Sequence, residues 1–296
     1  MSVLTPPERL YRFRSASTDH FYNELVEAVD NHKVWCHPVN LQNDPFDALP
    51  SFCDSTEEEL SQFLTVLRKH QGSSVNLAGG NWKELLKSRA IPVSRDIEKW
   101  VKTQRRNLLW QADITVKSFL GVRENTKIAA FCNNSNSLLL WSHYADAHKG
   151  IRLEYGWMQN GSVSYPFAPL VPVKYCKARP KISKLDACKY VWSVRLNNEK
   201  IVSQTFSNEI LEKSVHTKSN DWAYEEEWRY VETDEKGPGY KVILPLKVIS
   251  ISCGVAASEE TVSSCLMVAK EANRVVPVYK CELCPDKYEI IYKRIN

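Results

Sequence analysis

No stretch of the sequence approaches the roughly 20 consecutive apolar residues that a bilayer-spanning helix needs, so no membrane partner is expected. The opening MSVLTPPERLYRFR lacks the apolar run of a secretion signal. The 9 cysteines are scattered without an even framework. Together these features predict a protein of the reducing cytoplasm. No Gly-x-Ser-x-Gly turn is present, which leaves a serine nucleophile without its strand-to-helix elbow. Cys281 and Cys284 in YKCELCPDKY have metal-ligand spacing, but no second Cys-x-x-Cys or His pair lies close to them. They read as small buried hydrophobes near the ends of paired C-terminal strands, and no metal site is predicted. Internal repeats and low-complexity blocks are also missing.

What is present suits a folded core. The chain has 296 residues, 43% of them hydrophobic, enough to bury the core of one large domain or two small ones. A formal net charge of +4 permits a nucleic acid or other polyanion without demanding one. RLYRFRS alternates as a strand, and STDHFYNELVEAVDN follows as an amphipathic helix with Ser17 or Thr18 as candidate cap. KVWCH is a second strand, and PVNLQNDPFDALP an ordered loop. STEEELSQFLTVLRKH opens on a Ser55-x-x-Glu58 capping box. With a further helical region over 96–119, it predicts a helical insertion across 55–119. KIAAFCN, IRLEYG, VPVKYCKARPKIS, EWRYVE, YKVILPLKVISISCG, VVPVYKCEL and YEIIYKRI supply strands, with helices at SLLLWSHYADA, within 184–218 and after Ser258. Strands this short, broken by helices of irregular length, do not fit regular βαβ alternation. A single α+β domain over 1–296 is expected, with a mixed, mostly antiparallel sheet and that insertion.

The densest chemistry lies in DWAYEEEWRYVE. In a strand, residues two apart share a face, so Glu225 and Glu227 would lie together with Arg229 between their charges, and Glu226 would point away. Paired carboxylates divide labour in glycosyl chemistry, one stabilising the sugar cation and the other handling the acceptor. The same run also fits a solvated charge cluster. LLLWSHYADAHKG offers Ser142, His143, Tyr144 and His148. His143 and His148 are five positions apart, which does not align them on one helix face as metal ligands. In YRFR, Arg12 and Arg14 share a strand face and could bind a diphosphate, or be solvated on an edge. NDPFD is an Asx-Pro turn in which Asn43 and Asp44 could frame a pocket. The basic stretch 174–195, containing Lys177 and Arg179, could meet nucleic acid or a phosphate-bearing ligand, or form a solvated face.

The ordered motifs YRFR, NDPFD, WSHYADAHKG, YCKARP and WAYEEEWR resemble the bacterial family catalogued as domain of unknown function 2971. That resemblance implies a bacterial cytosolic protein, often from mobile or defence-associated neighbourhoods, with a pocket built from these motifs. By motif order the chain also resembles, more distantly, the ADP-ribosyltransferases, which implies an ADP-ribosyltransferase-like fold and NAD as substrate. Under that resemblance Glu227 would stabilise the oxocarbenium ion and Glu225 would orient the acceptor. Arg12 or Arg14 would hold the pyrophosphate, and Ser142, His143 and Tyr144 would lie near nicotinamide. Asn43, Asp44, Lys177, Arg179 and Arg229 are the candidate substrate contacts. A nucleic acid or protein would be the acceptor, and an antitoxin or regulatory protein a further partner. Two other readings compete: a non-catalytic nucleic-acid-binding or sensor module, and a metal-dependent nuclease using Asp44, Asp47, Glu225 and Glu227.

Overall fold

Strand-period alternation shapes most of the molecule. The computed structural model describes residues 6–60, 113, 116, 120, 126–158, 170–187, 204–233 and 240–296. In chain order the regular elements are β1 (Arg9–Arg14), α1 (Phe21–Val29), β2 (Lys33–Pro38), β3 (Ser51–Cys53), β4 (Thr126–Cys132), α2 (Leu138–Tyr144) and β5 (Ile151–Trp157). They continue with β6 (Leu170–Pro172), β7 (Lys174–Cys176), β8 (Lys181–Ser183), α3 (Gln204–Val215), β9 (Thr217–Ser219) and β10 (Glu227–Thr233). β11 (Tyr240–Ile243), β12 (Leu246–Cys253), α4 (Glu259–Glu271), β13 (Val278–Leu283) and β14 (Ile290–Arg294) complete the set. Most of the insertion expected over 55–119 lies outside the described residues. The chain divides into two compact units: Met1–Gln42, Thr126–Tyr175 and Lys218–Asn296 form the first, and Asn43–Asn125 with Cys176–Thr217 the second.

The first unit is built on a 10-stranded sheet in the order β11-β2-β4-β1-β5-β12-β13-β14, with β10 between β4 and β6. Its pairings are antiparallel except β12 with β13, so the class is α+β with a mixed, mostly antiparallel sheet. The sheet forks at β4. One side of β4 pairs with β10 from Thr126 to Cys132. On the other side, Lys127 and Ile128 pair with β2 whereas Cys132 pairs with β1. β1 and β2 therefore follow one another along the same edge of β4.

Helices cover both faces of this sheet because each strand buries two sets of side chains. On one face Leu10, Phe131, Leu153 and Val248 pack with Leu25 and Val29 of α1 and Cys265 and Val268 of α4. On the other, Phe13, Cys132, Cys281 and Ile290 pack with Leu140 and Trp141 of α2. Phe13 meets Trp141 edge-to-face with ring centroids 5.1 Å apart, the arrangement that ring quadrupoles favour. The helix caps follow local chemistry. Ser137 accepts from the Leu140 N–H and Ser258 from the Thr261 N–H, each satisfying an orphan donor. α1 begins later than its sequence suggests: His20 is its cap residue and makes no side-chain cap bond. Ser17 is instead bonded to Ser15.

α2 stops in an unusual way. Asp146, Ala147 and His148 have φ of 50°, 49° and 67°, a left-handed run that costs L-residues roughly 1–2 kcal/mol each. Backbone bonds offset this cost: His148 N donates to Trp141 O at 3.2 Å and Gly150 N to Ala145 O at 2.7 Å. A Cβ at Gly150 would fall on the Arg14 carbonyl, and one at Gly254 on the His148 carbonyl. The HKG and SCG glycines thus permit the close approach of three chain segments.

In the second unit, β3 pairs in parallel with β8, and Ile182, Ala187 and Ile210 form a small core with Phe52 and Leu211. The capping box lies one residue beyond the expected place. Thr56 N donates to Glu59 Oε2 at 2.7 Å, and Glu59 N to Thr56 Oγ1 at 3.2 Å. Ser55 Oγ accepts from Leu185 N instead.

Candidate active site

The acidic run owes its geometry to a turn and not to strand alternation. Ser219 caps a 3-10 turn over Asn220–Glu225, and Glu226 then adopts a left-handed conformation with φ 45° and ψ 50°. β10 starts only at Glu227. The expectation that Glu225 and Glu227 share a strand face is corrected here, because Glu225 precedes the strand. The kink at Glu226 brings them together by another route. It is pinned by Asn133 N donating to Glu226 O at 3.1 Å and Asn133 Nδ2 to Glu226 Oε2 at 3.2 Å.

Both carboxylates converge on Lys218. Its Nζ lies 2.7 Å from Glu225 Oε2 and 3.4 Å from Glu227 Oε2. Arg229 grips Glu227 with two bonds, Nε to Oε1 at 2.6 Å and Nη2 to Oε2 at 2.9 Å. Tyr144 donates its hydroxyl proton to Glu225 Oε1 at 2.6 Å, and the Tyr175 hydroxyl accepts from Glu227 N at 2.8 Å. The side chains of Lys218, Glu225, Glu227 and Arg229 are 4%, 4%, 5% and 0% exposed. Little water screens these charges, so each pairing is strong and each unpaired member would be costly.

The two acids sit at different protonation balances. Burial pushes the Glu225 carboxyl above its ordinary range, and Lys218 and Tyr144 only partly counter it. Burial acts in the same sense on Glu227, but the Arg229 and Lys218 charges outweigh it and hold that carboxyl at about 2. Neighbouring carboxylates with separated proton affinities are the arrangement from which acid and base roles arise.

An aromatic wall adjoins the pair. The Lys218 ammonium lies 4.8 Å from the centre of the Trp222 ring. Trp222 and Tyr224 centroids are 6.0 Å apart, and His143 lies 6.0 Å from Trp222 and 6.4 Å from Tyr224, stacked on the latter. His143 is exposed while Trp222 and Tyr224 are half-buried. Such a surface suits a flat ring.

The structure thus brings Glu225, Glu227, Arg229, Tyr144 and His143 together. Ser142 is exposed and turned to its own helix, donating to Leu138 O at 3.0 Å and lying 3.2 Å from His148 Nε2. Arg12 and Arg14 do not join the carboxylates. Pairing aligns Tyr11 with Cys132 and Cys132 with Glu227, so Tyr11 shares the Glu227 face and Arg12 and Arg14 take the opposite one. Asn43, Asp44, Lys177 and Arg179 lie in the second unit. There Arg179 binds Leu49 O at 2.8 Å and Pro50 O at 2.7 Å. Asp44 Oδ1 accepts from Phe46 N at 2.9 Å, and the Arg179 guanidinium lies 5.8 Å from the centre of the Phe46 ring, which joins the NDPFD and YCKARP motifs. Asn43 and Lys177 are exposed. Asp47 of the nuclease reading is buried in that unit, whereas Glu225 and Glu227 lie in the first. Among the described residues, no group of three or more His, Cys, Asp or Glu side chains is placed to hold a metal ion. Cys281 is packed in the core and Cys284 is partly exposed.

Sequence reasoning missed Lys218, the shared partner of both acids, and the backbone role of Tyr175. Neither stands at a spacing from the glutamates that any regular element would explain.

Fold and site together define an α+β protein with a buried carboxylate pair beside an aromatic wall. Residues 140–230 match the family model described as Protein of unknown function (DUF2971), which bears out that resemblance over WSHYADAHKG, YCKARP and WAYEEEWR. Tyr144, Tyr175, Lys218, Glu225, Glu227 and Arg229 all fall inside the matched stretch; Arg12, Arg14, Asn43 and Asp44 precede it. No curated protein and no solved structure matches the chain. No helix among the described residues is long and apolar enough to cross a membrane.

Proposed function

We propose that the carboxylate pair is the active site of an ADP-ribosyltransferase that takes NAD as its donor. The observation that carries this reading is the convergence of Glu225 and Glu227, with opposed proton affinities, beside the wall of His143, Trp222 and Tyr224. Breaking the bond between nicotinamide and ribose develops positive charge on the sugar, which fixed negative charge stabilises. Glu227, ionised throughout the physiological range, supplies that charge. Glu225, held by Tyr144, accepts the proton of the acceptor group as its oxygen or nitrogen bonds to the ribose carbon and nicotinamide leaves. The aromatic wall receives a flat ring of the donor. Lys218 keeps both carboxylates in register until the ligand arrives.

The acceptor is a nucleic acid or a protein; the exposed Lys174, Lys177 and Lys181 support the former. The described cysteines are all free, which supports work in the cytoplasm. A toxin or antiviral-defence role, restrained by an antitoxin or regulatory protein, fits such chemistry.

The test is incubation of the purified protein with NAD labelled in its adenylate, alongside separate protein, RNA and DNA pools. Nicotinamide release with label transfer is expected, and both should vanish in Glu225→Gln. One observation favours a second reading: the four buried charges cancel, as in a structural network, so the aromatic wall could serve a non-catalytic nucleic-acid-binding or sensor module. Binding without release of nicotinamide in any pool would select it.

A further inference from the structure

The opposite face of the sheet carries a guanidinium without a counter-charge. Arg12 leaves β1 toward α1, where its Nη2 donates to Trp35 O at 3.3 Å. The same group lies 5.3 Å from the centre of the Phe131 ring, and no carboxylate among the described residues is within ion-pair distance of it. Its neighbours are provided for: Arg14 Nη2 meets Glu24 Oε2 at 2.7 Å, and Lys33 Nζ meets Glu27 Oε2 at 3.2 Å. Three cations and two carboxylates therefore line the cleft where β1 and β2 part beneath α1. The excess charge is that of Arg12. Burial draws its guanidinium down to about 10, and the charge of Glu24, already bonded to Arg14, only partly offsets that cost.

The remaining walls are apolar and aromatic, from Phe21, Leu25, Val34, Trp35, Leu153 and Tyr155. The cavity holds about 40 Å³. A water needs about 10–15 Å³ of such space, so there is room for a carboxylate or phosphate head group beside Arg12.

We infer that this cleft is a binding site, separate from the carboxylate pair, for a small organic anion: a carboxylate or phosphate monoester carrying an apolar or aromatic body. Arg12 is its charge partner. A singly charged head needs Arg12 alone. A doubly charged phosphate also draws Arg14 away from Glu24, whose side chain is 33% exposed and free to swing into water. None of this depends on the reading of the carboxylate pair.

Calorimetric titration of the full-length protein with sodium benzoate, phenyl phosphate and NAD tests the inference. Saturable binding of benzoate or phenyl phosphate is expected, and which of the two binds identifies the head group. Arg12→Met should weaken that binding about tenfold or more. Glu24→Gln, at a partly exposed position that leaves the fold intact, should tighten phenyl phosphate binding more than benzoate binding, which keeps the test open if Arg12→Met fails to fold. No binding of benzoate or phenyl phosphate by the wild type would overturn the inference. So would affinities unchanged in both variants, or Arg12-dependent binding of NAD alone.

Discussion

Arg229 and Arg12 stand on strands of one sheet, yet their settings differ. Arg229 is fully buried and doubly bonded to Glu227 at 2.6 and 2.9 Å, whereas Arg12 has a single backbone carbonyl at 3.3 Å and the face of Phe131. Around Arg229 the charges cancel among Lys218, Glu225 and Glu227; around Arg12 one positive charge is left over. A cancelled network can hold side chains in place without a ligand, while an uncancelled one gains by acquiring a partner. Charge left over in a cleft calls for a bound anion, whereas a cancelled set of charges is held by its own members until a ligand displaces one of them.

The sharpest way to break this comparison is to uncancel the network. Glu227→Gln removes the carboxylate that is doubly bonded to buried Arg229, and unfolding in urea should show a loss of roughly 3–5 kcal/mol. A double variant, Glu227→Gln with Arg229→Met, should recover much of it. Retention of full stability by the single variant would mean that Arg229 finds another partner.

The next effect is on acid stability. Glu227 has its carboxyl lowered to about 2 in the fold, so its contribution is complete above the ordinary carboxylate range and is lost as pH falls from there through about 2. Glu225 is raised, so it favours the fold at low pH and withdraws that support as pH rises through its elevated value. Urea midpoints against pH should therefore show a flatter acid limb in Glu227→Gln. Glu225→Gln should instead lack the decline that the raised carboxyl gives the wild type as pH rises above the ordinary carboxylate range.

Smaller effects sharpen the other side. Arg12→Met removes an unbalanced charge and keeps the aliphatic stem, so thermal unfolding should show stability unchanged or raised by about 1–2 kcal/mol. His143→Ala, at an exposed position, should change stability by no more than about 0.5 kcal/mol while weakening nucleotide binding measured by fluorescence or calorimetry.

Most of the sheet was legible in the sequence because alternation, as in RLYRFR, and short apolar runs, as in KIAAFC, are local marks of a strand. The cap at Ser258 was legible for a similarly local reason. Register was not. Nothing within YRFR says that Tyr11, and not Arg12, lines up with Cys132 and Glu227, because pairing is set between distant strands. For the candidate site, the acids and Tyr144 were visible, but the turn that joins them was misread as strand. The left-handed Glu226 depends on Asn133, reached only through the fold. Lys218 was hidden for the same cause: its role exists only once β9 and the turn after it bring its ammonium under both carboxylates. The capping box slipped by one residue because Ser55 and Thr56 are equivalent locally, and Leu185 N claims the first.

In the proposed mechanism one buried acid serves chemistry while its neighbour serves the fold as well. The most direct test measures nicotinamide release from NAD and the urea midpoint at neutral pH on Glu225→Gln and Glu227→Gln side by side. The account predicts that Glu225→Gln stays folded and releases no nicotinamide, and that Glu227→Gln is the more destabilised of the two. Wild-type turnover in a folded Glu225→Gln protein would contradict it.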